Sequence, residues 1–89
     1  MNINFPREEY LDATSDLIWF PAEVDGRRIR CVMEIESLQA CCGADLGDPL
    51  PAFYANRPVI EEAAARLAAA GMFERDGSVR VAAADLVPQ

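Results

Sequence analysis

The dipeptide Asp25-Gly26, set between two runs of alternating apolar residues, constrains this chain more than any other feature. Asp-Gly suits a two-residue type I′ turn, in which both central residues take positive φ. Such a turn fixes register: Val24 falls opposite Arg27, and every further pair follows. Ile18 then faces Met33, Phe20 faces Cys31, and Ala22 faces Ile29. All of these share one side, because side chains alternate along a strand. Turn chemistry and hydrophobic pattern therefore point independently to one hairpin, 16–24 with 27–35.

The other side pairs Leu17 with Glu34, Trp19 with Val32, Pro21 with Arg30 and Glu23 with Arg28. In this register position 21 does not bond to the second strand, so the N–H that Pro21 lacks would have pointed outward. That marks an edge or a bulge. A third strand is expected beside the second.

The remaining segments are coarser. Ile3 and Phe5 alternate with Asn residues before Pro6, which predicts a short strand. Residues 7–16 are polar and read as loop. Residues 36–42 read as a short helix ended by Gly43. Asp48 is a candidate cap for a longer helix, with Pro49 and Pro51 in its first turn. Phe53, Ile60, Ala64 and Leu67 recur at helical spacing up to Gly71. Pro58 interrupts that pattern and pushes Arg57 off helical angles, so a kink at 54–58 or two abutting helices is expected. Asp76-Gly77 signals a turn before a strand at 78–82, with Val79 and Val81 inward and Arg80 outward. Residues 83–86 read as a terminal turn.

The expected fold is one α+β domain over residues 1–89. It has two layers: a small antiparallel sheet built on the hairpin, and one long helix, kinked or broken at Pro58, with a short helix beside it. The expected core is Ile18, Phe20, Ile29, Cys31, Met33, Ile60, Leu67 and Val81.

Composition removes whole classes of chemistry. The chain has no His, and all 8 of its basic residues are Arg. Ser-His-Asp and Cys-His catalysis, imidazole-bound zinc, Schiff bases and the phosphate-loop lysine are excluded. A net charge of −7 disfavours nucleic-acid backbones and favours a neutral or basic partner. Cys31, Cys41 and Cys42 lack metal-ligand spacing and make a poor disulfide framework, which suits reduced thiols in a cytoplasmic protein. No apolar run reaches membrane-spanning length, and the N-terminus lacks the pattern of a signal peptide. Glu61 and Glu62 diverge by about 100° on a helix and do not form an acid pair. Glu34 with Glu36, and Asp45 with Asp48, match no metal-binding pattern. No catalytic residue, metal or cofactor is expected, and the chain is not expected to be an enzyme.

Three segments in order carry a further signal. They are Leu17-Ile-Trp-Phe-Pro-Ala-Glu-Val-Asp-Gly-Arg-Arg-Ile-Arg-Cys, then Phe53-Tyr-Ala-Asn-Arg-Pro-Val-Ile-Glu-Glu-Ala-Ala, then Gly77-Ser-Val-Arg-Val with Asp85-Leu86 behind. Together they resemble the small bacterial family known as domain of unknown function 1488, from about Ile3 to Leu86. The resemblance implies a compact α+β domain and carries no catalytic residue or cofactor. Pro58 departs from the ordinary helix former that the family pattern has there.

The candidate recognition surface is the outer sheet face, with Trp19, Arg28, Arg30 and Val32, and Arg80 beside them. Aromatic and Arg side chains on an open sheet suit a protein interface, with another protein or with a second copy of the chain. They also suit base stacking, which makes a weak single-stranded RNA-binding domain the alternative. The plainer reading is that the N-terminal segment covers Trp19 and the Arg residues are ordinary solvated charges. The expected function is non-enzymatic protein interaction or regulation.

Overall fold

A computed structural model describes residues 2–86. Asp25 and Gly26 both have positive φ, 51° and 82°, as a type I′ turn requires. The turn joins β3 (Leu17–Val24) to β4 (Arg27–Glu34) in the expected register, with Phe20 opposite Cys31.

The free side of β3, read from the sequence as an edge or a bulge, carries two short strands; the sequence suggested one N-terminal strand and assigned it no partner. β1 (Ile3–Asn4) pairs antiparallel with β3 at Val24 and Glu23, and β2 (Tyr10–Asp12) pairs at Trp19, Ile18 and Leu17. The expected loop at 7–16 is therefore corrected: it contains a strand. Between the two ladders, residues 5–9 span the stretch that contains Pro21. With no N–H to offer, Pro21 cannot anchor a ladder there, and the chain bulges instead.

The sheet is mixed, where an all-antiparallel one was expected. β5 (Val79–Val81) lies beside β4, but parallel to it, with Cys31 opposite Val79. The reason is topological. Parallel neighbours need a long crossover, and the whole helical layer lies between β4 and β5 in the chain. That layer comprises α1 (Ile35–Cys42), α2 (Leu50–Ala55) and α3 (Arg57–Ala69). Ala83–Asp85 form a terminal 3-10 turn.

The long helix is two helices. Asn56, at φ −113° and ψ 12°, breaks the chain, one residue before the Arg57 that proline sterics had singled out. Pro58 consequently falls in the first turn of α3, where an N–H would have no intrahelical partner. Pro49, not Asp48, flanks the start of α2.

Phe53, Ile60, Ala63, Ala64 and Ala68 of the helices pack on Ile18, Phe20, Cys31, Met33, Val79 and Val81 of the inner sheet face. The alanines allow the α3 backbone to approach the sheet closely. Ile29 and Leu67 are only partly buried, because they sit at the margin of this contact. No described helix is long and apolar enough to cross a membrane.

Candidate outer-face interface

The alternation of β3 and β4 sends Trp19, Arg28, Arg30 and Val32 to the side away from the helices, as expected. Their environments differ. Trp19 is half-buried, and its indole N–H donates to Asp12 Oδ2 at 3.4 Å. The Arg30 guanidinium carbon lies 5.1 Å from the centre of the Trp19 ring, a cation–π distance. Arg30 is the diagonal neighbour of Trp19 across the ladder, within reach of a long side chain.

Val32 is 2% exposed. It forms the floor of a depression between Trp19, Arg80 and the turn residues Glu74, Arg75 and Asp76. As a contact residue it is therefore corrected: it supports the face and offers almost no surface to a partner.

Tyr10 is the residue that sequence reasoning missed. It lies opposite Trp19 on β2, and the two rings stack with centroids 6.4 Å apart and planes 17° from parallel. Tyr10 is 53% exposed. The N-terminal segment thus places an aromatic ring beside Trp19 and extends the apolar surface. The only signal for it was the three-residue alternation of β2, too short to stand out from a polar loop.

Two of the arginines on this face are held by carboxylates. Arg28 donates to Glu8 at 2.7 Å and lies 3.9 Å from Glu23. Arg80 meets Glu34 at 2.9 Å and Glu74 at 3.6 Å. Each guanidinium is ringed by carboxylates, so the face presents an aromatic pair within a border of ion pairs. Asp76 accepts from the Ser78 hydroxyl and backbone N–H; these bonds and the nearby charge of Arg30 hold its carboxyl below the usual range.

Other reactive groups do not join this face. Burial pushes the Cys31 thiol up to about 12. The Cys41 thiol donates to the Leu38 carbonyl at 3.7 Å, and desolvation together with Cys42 raises it as well. Both are protonated at neutral pH and are weak nucleophiles. Among the described residues no cluster of three or more His, Cys, Asp or Glu is arranged to hold a metal ion.

One ion-pair cluster lies in the interior. Arg57 is 4% exposed and donates to Glu9 and to Glu61, each at 2.7 Å. Its guanidinium carbon lies 5.5 Å from the centre of the Phe53 ring. Glu8 and Glu9 are neighbours in sequence and point to opposite sides, one to Arg28 on the outer face and the other to Arg57 of the helical layer.

Comparison with known proteins agrees with this architecture. A crystal structure of a protein of unknown function from the DUF1488 family, from Shewanella loihica PV-4, is 26% identical. The match covers 92% of this chain and 96% of that one, with a TM-score of 0.82. No curated protein matches. Residues 3–81 match the family described as "Protein of unknown function (DUF1488)", and the chain belongs to that family.

Proposed function

We propose that this is a non-enzymatic protein-recognition domain that binds a protein partner through its outer sheet face. The observation that carries this reading is the stacked Tyr10–Trp19 pair, which lies on a sheet face over which the described residues build no second layer. Aromatic side chains with Arg at the rim have the composition of an interface hot spot. Single-stranded RNA is the weaker candidate. Base stacking could use the same rings, but Arg28 and Arg80 are already held by carboxylates that would repel phosphate. Self-association is disfavoured by the charge of −7 on each copy.

The test is affinity capture from the source cells, with wild type, Trp19→Ala and Tyr10→Ala compared side by side before and after nuclease treatment. A protein enriched by wild type, lost with both variants and indifferent to nuclease is the expected result. A partner retained by Trp19→Ala, or one released by nuclease, would overturn the reading.

A further inference from the structure

The exposed edge of β4 near the hairpin turn is unfinished. Counting from the turn, positions 27, 29, 31 and 33 bond to β3, so the N–H and C=O of positions 28, 30 and 32 face the other way. β5 covers only Cys31–Met33 on that side. Its parallel ladder takes up the groups of Val32 and the carbonyl of Arg30. The Arg28 N–H, the Arg28 carbonyl and the Arg30 N–H have no backbone or side-chain partner among the described residues.

A cavity of about 420 Å³ adjoins this edge, lined by Val24, Ile29, Arg27 and Asp25 of the hairpin and by Phe73 and Gly77 of the turn before β5. Phe73 is 46% exposed and Ile29 is partly buried, so the cavity is a notch with an apolar floor and charged residues at its rim, open among the described residues. Arg27 and Arg30 have no carboxylate within ion-pair distance among the described residues. The charge of Arg30 reaches Asp76 and helps to hold that carboxyl low.

We infer that the β4 edge at Arg28–Arg30 accepts a short extended segment of a partner protein, which adds to the sheet in line with β5. This rests on the reading of the domain as a protein-recognition module. Strand alternation dictates the segment's chemistry. Its residue beside Ile29 points into the notch and is apolar, of about leucine size. The residues on either side point to the outer face beside Arg28 and Arg30, and the one beside Arg30, whose guanidinium no carboxylate holds among the described residues, is acidic. A second copy of the chain is a poor occupant, because edge-to-edge pairing would set Arg28 and Arg30 against the same residues of the other copy. The same segment reaches the margin of the aromatic face through Arg30, which already lies over Trp19.

The probe is the blocked pentapeptide acetyl-Val-Glu-Leu-Glu-Val-amide, titrated into the full chain and followed by amide NMR. Saturable shifts are expected at Arg28, Ile29 and Arg30, with Kd on the order of 1 mM or tighter. Amide exchange at Arg28 and Arg30 should slow at least tenfold when the peptide is bound. The Lys-for-Glu peptide should bind at least tenfold more weakly. The peptide methylated at its three central amide nitrogens should not bind, a control that requires no protein variant. Arg28→Pro should also abolish binding while leaving the β3–β4 ladder intact, since position 28 makes no ladder bond to β3; Pro21 already occupies such a position. Equal binding of the Lys or methylated peptide, or the absence of a saturable shift at Arg28–Arg30, would overturn the inference. The captured partner separates the two claims. One lost with Trp19→Ala but kept by Arg28→Pro defeats the edge inference alone; one kept by both variants defeats both.

Discussion

Arg57 and Glu9, separated by 48 positions in the chain, meet at 2.7 Å. Glu9 lies in the bulge opposite Pro21, and Arg57 opens α3, so the pair ties the irregular part of the sheet edge to the helical layer. Glu61, on the next turn of α3, holds the other side of the guanidinium. Removing one partner leaves a buried charge under-compensated. Glu9→Gln should therefore cost about 1–3 kcal/mol in urea denaturation, and Arg57→Met in the Glu9→Gln background should recover part of the loss. A Glu9→Gln protein as stable as wild type would show that the pair adds nothing.

The same pair gives stability a pH dependence. Burial pushes the Glu9 carboxyl up, but hydrogen bonds and charge from Arg57, with backbone and Tyr54 contacts, outweigh it and hold the carboxyl below its ordinary 4.5. The folded state therefore binds fewer protons than the unfolded state through this range, and stability falls as pH falls. The Glu9 contribution is complete above 4.5 and disappears as pH drops through the lower folded value. The stability difference between wild type and Glu9→Gln should be constant near neutrality and shrink in acid. A difference that grows in acid would reverse the sign and contradict the geometry.

Phe20 sits at the centre of the core, with ring centroids 6.3 Å from Phe5 and 5.4 Å from Phe53. It is 1% exposed. Phe20→Ala should destabilise the domain by about 3–5 kcal/mol. Ile29→Ala, at the margin, should cost distinctly less. Chemical denaturation of both variants checks the ranking, and equal losses would contradict it.

Pro58 is expected to be close to neutral. It stands in the first turn of α3, and the break at Asn56 precedes it. Pro58→Ala should shift stability by no more than about 0.5 kcal/mol, since no interior helical bond is restored. A gain near the ~3 kcal/mol expected for a mid-helix proline would mean that residues 50–69 form one continuous helix in solution.

Gly26 isolates the backbone contribution of the hairpin turn. Its φ is 82°, and an added Cβ would meet nothing within 4 Å. Gly26→Ala should cost about 1–2 kcal/mol through conformation alone. Thermal or urea unfolding of this variant checks it, and no loss would mean that the turn relaxes to another type.

The hairpin was legible in the sequence because its evidence is local. Asp25-Gly26 and the alternation on either side lie within one continuous stretch, and a two-residue turn leaves the register no freedom. The break in the helical layer was legible for the same reason, since proline sterics act on immediate neighbours. Tertiary structure decided what depends on distant partners. β2 forms because β3 offers an edge on either side of Pro21, and three residues of alternation cannot announce that. β5 runs parallel because the helices must cross the inner face before the chain returns, a matter of topology that strand composition does not encode. Val32 is buried on the outer face only because Trp19, Arg80 and the turn before β5 converge around it. The candidate site divides in the same way. Register alone placed Trp19 and Arg30 on one face, whereas Tyr10, the carboxylates around Arg28 and Arg80, and the open edge at Arg28–Arg30 arise from segments far apart in the chain. Pairing of such segments is set by packing and long-range electrostatics, which no short window of sequence contains.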